Sequence, residues 1–290
     1  MSEIGEGTVL EFPSAGTVTI GELLLGSGGS SFVHHATNMS GDPLAVKVVR
    51  ANATPDGLTE RVLTEINNPL GPSPHIVKPI DHLVLPSYGL HVPCLLFPFI
   101  NGDEVGTYLT KEQPSSDGLI RRLTVAQQMC EALLHVHENG YIHGDISPKN
   151  FLLNPKSDEV YLIDFETLTK TDGARQEAHW ANSDYMAPEV DQSKSKALSQ
   201  ASDVWSFALV LVEWLAPQVW VRDALDEGWA EKFNRRKKAG SGNVVGSILS
   251  SSSPDGLEHI WPWITEALSI DLRQRPRLEE LFVRFEERSP

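Results

Sequence analysis

The hydrophobic rhythm of the chain changes close to residue 100. Before that point apolar and β-branched residues come in runs of strand length: Thr17 to Leu25, Pro43 to Arg50, and then IVKPIDHLVL and HVPCLLFPFI. The last two are joined by Pro-Ser-Tyr-Gly and read as neighbouring antiparallel strands. One helix is expected among them, at Thr59 to Asn68 (TERVLTEINN), stopped by Pro69. Later the period becomes helical. Leu119 to Asn139 carries Leu123, Ala126, Met129, Cys130, Leu133, Leu134 and Val136 at three- and four-residue spacing, and ends on Asn139-Gly140. FALVLVEWL, after Ser206, predicts a second and deeply buried helix. Strands first and helices afterwards give an α+β class. Residues 1–16 are mixed and punctuated by Gly, Ser and Pro, and are either a short leader or an extra edge strand.

Candidate chemistry sits at the joints of this pattern. After the first strand comes Gly26-Ser27-Gly28-Gly29-Ser30-Ser31-Phe32-Val33, where glycines let backbone N–H groups approach a phosphate without an intervening Cβ. The next strand holds Lys47 within Ala-Val-Lys-Val. A lysine buried there is costly unless it meets an anion, and nucleotide phosphate is the natural one. The following helix offers Glu65 or Glu60 as its ion-pair partner; the spacing to PHIV favours Glu65, with Glu60 second. The stretch YIHGDISPKNFLLNPKSDEVYLIDFE, Tyr141 to Glu166, places Asp145, Lys149 and Asn150 before a turn and Asp164 after a short apolar run. It combines a carboxylate to orient a hydroxyl, a cation for a travelling phosphoryl group and oxygens for magnesium.

These motifs, in this order, resemble the protein kinase superfamily over residues 17 to about 287. Tyr185-Met186-Ala187-Pro188-Glu189, Ser202-Asp203-Val204-Trp205-Ser206 and Arg273-Gln274-Arg275-Pro276 extend the resemblance. It implies that Glu189 pairs with Arg275 and that Asp203 braces the catalytic loop. It also implies a two-lobed fold, with residues 1–16 as a leader, a small lobe over 17–99, and a hinge and larger helical lobe over 100–288. Asp145 would orient the substrate hydroxyl, Lys149 would attend the phosphoryl group, and Asn150 and Asp164 would hold Mg2+. Gly26, Ser27, Gly28, Gly29, Lys47 and Glu65 would serve the ATP phosphates. Phe97 would guard the back of the adenine pocket, Pro98 to Ile100 would offer it backbone hydrogen bonds, and Val33 and Ala45 would pack on its faces. The implied activity is transfer of the ATP γ-phosphoryl group to a protein Ser or Thr hydroxyl.

The chain departs from the family pattern at Ser31, Gly144 and Glu166. Gly144 replaces the arginine that would clamp a phosphorylated activation segment, so that control is expected to be absent. Glu166 stiffens a position where glycine permits rearrangement. HGD and IDFE also resemble the aminoglycoside and choline phosphotransferases, and a pseudokinase acting as a binding scaffold is a further alternative. The downstream motifs favour a protein kinase. Asn182 and Ser183 before Tyr185, with no proline there, tilt the acceptor toward Ser and Thr.

Composition narrows the partners. Among 290 residues, 24 Lys and Arg against 39 Asp and Glu leave a net charge of −15, which argues against nucleic acid or an anionic membrane and for cationic substrates. Glu104, just past the hinge, is a candidate to hold a substrate arginine. Cys94 and Cys130 are too few for a disulfide framework or a zinc site, and no apolar window approaches membrane-spanning length. A cytoplasmic protein is expected. His135 and His137 are two apart on one helix and do not share a face, so with His143 they do not suggest a metal site. The tryptophans at 214, 220, 229, 261 and 263 read as core, and the basic run Arg235-Arg236-Lys237-Lys238 as a solvated face.

Overall fold

The computed structural model describes residues 4–54, 56, 58–108, 116–172, 185–190, 198–216 and 254–287. It divides into two units, one of Met1–Pro69, Ile76–Asn101 and Ile163–Thr167, the other of Leu70–His75, Gly102–Leu162 and Leu168–Pro290.

Six strands build the sheet of the first unit: β1 (Val9–Phe12), β2 (Gly16–Ser27), β3 (Ser31–Asn38), β4 (Pro43–Val49), β5 (Asp81–Ser87) and β6 (Leu90–Pro98). All pairings are antiparallel, in the order β1-β2-β3-β4-β6-β5. Both faces are covered. Val46 and Val48 join Leu10, Phe12, Val18, Ile20, Ala36, Cys94 and Leu96 in one apolar cluster. The alternate residue Val49 packs with Leu95 and with Val62 of helix α1 (Glu60–Ile66). Burial on two sides is why β4 reads as an unbroken apolar run, and strand alternation puts Lys47 on the α1 side.

Residues 9–12 form an edge strand, one of the two alternatives for this segment. Leu10 and Phe12 are 3% exposed, so they supply core that a sheet starting at residue 17 would lack. The Ser14 and Ala15 N–H groups, in the β1–β2 turn, donate to Asp81 Oδ2 at 2.6 and 2.8 Å. Asp81 opens β5, at the other end of the strand order. The contact curls the sheet around its inner cluster, and these hydrogen bonds outweigh burial in holding the Asp81 carboxyl below its usual range. The strand expected from Ile76 begins only at Asp81, after Pro79.

Helix α1 starts where its sequence directs. The Thr59 side chain accepts from the Val62 N–H, a cap that satisfies one otherwise orphaned donor.

The second unit is mainly helical among its described residues: α2 (Val105–Tyr108), α3 (Ser116–Glu138), α4 (Gln200–Leu215), α5 (Trp261–Ala267) and α6 (Leu278–Glu286). Short strands β7 (Asp103–Glu104), β9 (Phe151–Leu153) and β10 (Val160–Leu162) pair in the order β10-β9-β7, while β8 (Tyr141–Ile142) pairs with β11 (Thr169–Lys170). These pairings turn the chain between Tyr141 and Leu162 back on itself, so the loop carrying Asp145 is anchored at both ends. The Ser199/Ser202 capping box starts α4, whose residues are buried nearly all round. Trp214 is buried with its indole N–H donating to Arg122 O at 2.8 Å, and Trp261 and Trp263 are core as expected. Trp220, Trp229 and the run 235–238 lie outside the described residues. No described helix is long and apolar enough to cross a membrane.

Candidate active site

In the first unit the sheet gathers several expected residues on one face. The register sets Val33 opposite Lys47, Ala45 opposite Phe97 and Gly26 opposite Val33, so these side chains and the start of the glycine turn share the face that bears Lys47. Gly28 N–H donates to Ser31 O at 2.9 Å, closing the β2–β3 turn. Neither Gly26, Gly28 nor Gly29 has a positive φ, and an added Cβ there would meet no atom nearer than 4.0 Å. Neither backbone strain nor protein packing therefore demands glycine in this turn.

Lys47 is buried, with its Nζ 2.7 Å from Glu65 Oε2, 3.0 Å from Asp164 Oδ1 and 2.7 Å from Glu166 Oε1. Of the two glutamates considered, Glu65 makes the pair; Glu60 lies exposed at the start of α1. The other Glu166 oxygen lies 2.5 Å from an Arg61 guanidinium nitrogen. Burial alone would lower the Lys47 pKa, but the three carboxylates outweigh it and hold the ammonium well above its ordinary range. Glu65 is pushed up to about 7, chiefly by burial, against the pull of Lys47 and with Asp164 and Glu166 adding to the rise. The charge count agrees: three carboxylates face Lys47 and Arg61, so one negative charge is in surplus.

Glu65, Asp164 and Glu166 each bring an oxygen within 4.8 Å of the others. Such hard oxygen donors suit magnesium, and Asp164, 35% exposed, is the one open to a ligand. Asp164 has φ 64°, an uncommon conformation for a residue with a Cβ, and one frequent at functional sites.

In the second unit the expected loop residues also come together. Asn150 Nδ2 donates to Asp145 O at 2.6 Å and to Asp145 Oδ2 at 3.3 Å. The short 3-10 turn Pro148–Asn150 leaves Lys149 exposed while Asn150 is buried. Asp203 fixes the loop. It accepts from the N–H groups of His143 and Gly144 at 2.8 and 2.9 Å, and lies 3.0 Å from His137 Nε2. Gly144 has φ 82°, so this backbone favours glycine where the family pattern has arginine. Glu189 and Arg275 form a bidentate pair at 2.7 and 2.8 Å. Both expected pairings of the late motifs are thus present.

The sequence did not point to Arg61, nor to the pairing role of Glu166. One available sign was the four-residue spacing of Arg61 and Glu65, which sets both on one face of α1. Asn182 and Ser183 lie outside the described residues.

The model for the protein kinase domain matches residues 21–281. MAP kinase kinase kinase mkh1 of Schizosaccharomyces pombe is 26% identical over 270 residues, covering 89% of this chain and 23% of that protein. A probable serine/threonine-protein kinase of Corynebacterium efficiens is 29% identical, covering 65% of this chain and 29% of that protein. Serine/threonine-protein kinase pkn3 of Myxococcus xanthus is 27% identical, covering 66% and 36%. The chain thus spans roughly a quarter to a third of the length of these relatives. With the β-sheet unit, the helical unit and the match over nearly all its length, the chain has the two-lobed α+β fold of the protein kinases and belongs to that family.

Proposed function

We propose that this protein transfers the γ-phosphoryl group of ATP to serine or threonine hydroxyls of protein substrates. The observation that carries the reading is the buried Lys47, held charged by Glu65 on the sheet face that also bears Val33, Ala45 and Phe97. A permanently charged ammonium on a lined apolar face is suited to an anion with a flat, apolar portion. The open space beside Gly26, Gly28 and Gly29 supports the same ligand, since close approach of a phosphate is the remaining reason for glycine there. The Corynebacterium and Myxococcus relatives, both named as serine/threonine-protein kinases, support the Ser/Thr acceptor.

In this reading Asp145 accepts a hydrogen bond from the attacking hydroxyl, and Asn150 keeps its carboxylate oriented. Lys149 attends the phosphoryl oxygens and Lys47 the remaining phosphates. Asn150 and Asp164 would hold magnesium, which would supply neutralisation of charge on the phosphates. Pro98 to Ile100 offer backbone groups to the base.

The test uses two aspartate variants and labelled ATP with magnesium, supplied with generic protein acceptors and with small aminoalcohols. Asp164→Asn is expected to abolish the magnesium-dependent shift in melting temperature on adding ATP, while Asp145→Asn keeps the shift and loses at least 100-fold in turnover. Equal loss of the shift in both variants overturns the roles, and label in aminoalcohols alone moves the protein to small-molecule phosphotransfer.

A second reading, nucleotide binding without chemistry, has one observation in its favour. Glu166 Oε1 lies 2.7 Å from Lys47 Nζ and competes there with a phosphate. Full ATP-induced stabilisation with no transfer to any acceptor would select it.

A further inference from the structure

Glu166 does more than occupy a position where the family has glycine. Its two oxygens serve two cations: Oε1 lies 2.7 Å from Lys47 and Oε2 lies 2.5 Å from Arg61. Arg61 precedes Glu65 by one turn of α1, so the helix presents a cation and an anion on the same face. The four side chains form a chain of alternating sign: Glu65, Lys47, Glu166, Arg61. Strand β4 supplies one member, α1 two, and the segment after β10 one. Three members are sealed from water, with side-chain exposures of 7% for Lys47, 2% for Glu65 and 4% for Glu166. Arg61, at 34%, is one-third exposed and can be changed without opening the core.

Building on the proposed function, we infer that Arg61 and Glu166 are positioning residues that hold Lys47 and α1 in the arrangement that receives the nucleotide phosphates. The physical reason is the surplus of carboxylates around Lys47. Without Arg61, Glu166 keeps a buried charge whose nearest compensation is Lys47 itself, and it draws the ammonium away from Glu65 and from a phosphate. With Arg61 in place, Glu166 is shared, and α1 is tied through Arg61 to the segment carrying Asp164. A phosphate-ordered activation segment is then not needed to keep the Lys47–Glu65 pair together.

The latch sets what fraction of molecules is competent to bind. A reduced fraction raises the apparent dissociation constant in proportion, and saturating nucleotide restores the population. Loss of the latch is therefore carried by KM for ATP more than by kcat. In the full chain, Arg61→Ala is expected to raise both the dissociation constant and the KM for ATP with magnesium by about fivefold, while kcat falls less than twofold. The amide hydrogens of α1 are expected to exchange about fivefold faster in the protein without nucleotide. Arg61→Lys should recover most of both losses. Combining Arg61→Ala with Glu166→Gln should add little to Glu166→Gln alone, because the partner is already gone.

Unchanged α1 exchange together with unchanged nucleotide affinity in Arg61→Ala would overturn the inference. So would a fall in kcat at constant KM, which marks a merely structural residue. If the wild-type protein transfers no phosphate, the proposed function fails, but the exchange and binding measurements still decide the latch.

Discussion

Glu65 is placed where its charge is useful and where burial makes that charge costly. Its carboxyl is raised from the ordinary 4.5 to about 7, mainly by burial and then by Asp164 and Glu166. Between those values the folded protein holds a proton that the unfolded chain has released. Folding stability therefore falls as pH rises through this window: the contribution is complete below about 4.5 and lost by about 7. Lys47 has its pKa raised far above this range, and its contribution is constant across it. We expect wild type to lose stability relative to Glu65→Gln as pH rises from 5 to 7, read by urea unfolding. Phosphotransfer, which uses the ionised pair, should rise over the same interval. A parallel pair of stability curves would show that Lys47 keeps Glu65 ionised throughout. The preference for Glu65 over Glu60 was legible from its spacing to PHIV, and the structure pairs Glu65 with Lys47. The role of Glu166 was not, because its partners come from β4 and α1, and no local pattern around residue 166 names them.

At the scale of elements, the late motifs show how much a few spaced residues can carry. The Arg275 side chain is wholly buried, and its guanidinium meets Glu189 twice, donates to Ser269 O and Ala201 O at 2.8 Å, and stacks 4.8 Å from the Trp205 ring. Each of the three guanidinium nitrogens meets an acceptor, which helps a buried ion pair to be tolerated. It joins the short Pro188–Val190 turn, the start of α4 and the turn before α6 through one side chain. Arg275→Leu leaves the Glu189 carboxylate uncompensated and is expected to cost about 3–5 kcal/mol, measured by chemical denaturation. Adding Glu189→Gln should return part of that loss, since the stranded charge is removed; an additive double variant would mean that the two act independently. The Glu189–Arg275 pairing was readable because both residues sit in motifs of fixed order. Strand β1 was readable only as one of two alternatives, since Val9–Phe12 is four residues long and its worth lies in Leu10 and Phe12 reaching a core formed by other strands. The Asp81 contact that curls the sheet spans more than sixty residues of sequence, and no periodicity reports it.

For the molecule as a whole, charge is the property the sequence states most directly, and it bears on which substrates are met. A net charge of −15 sets up a long-range attraction for cationic peptides that falls off over about 10 Å at 0.1 M salt. Short-range selection needs a particular side chain, and Glu104 is the candidate. It is exposed on β7, next to the start of α2; partial burial raises its carboxyl pKa, while Lys149 pulls the other way and Asp103 adds to the rise. Lys149 is therefore already a charge neighbour of Glu104, within the same unit as Asp145. An arriving arginine would have to share Glu104 with Lys149, which makes the expected selectivity modest: about fivefold in kcat/KM for Ser or Thr peptides with basic flanks over acidic ones. Raising salt from 50 to 300 mM should narrow that ratio through KM. Glu104→Ala should narrow it further at low salt and leave a remainder that salt alone removes, since the variant keeps most of the net charge. A peptide array dominated by acidic or tyrosine acceptors would sink the proposal. Selectivity for basic peptides that survives both high salt and Glu104→Ala would place the recognition on other residues.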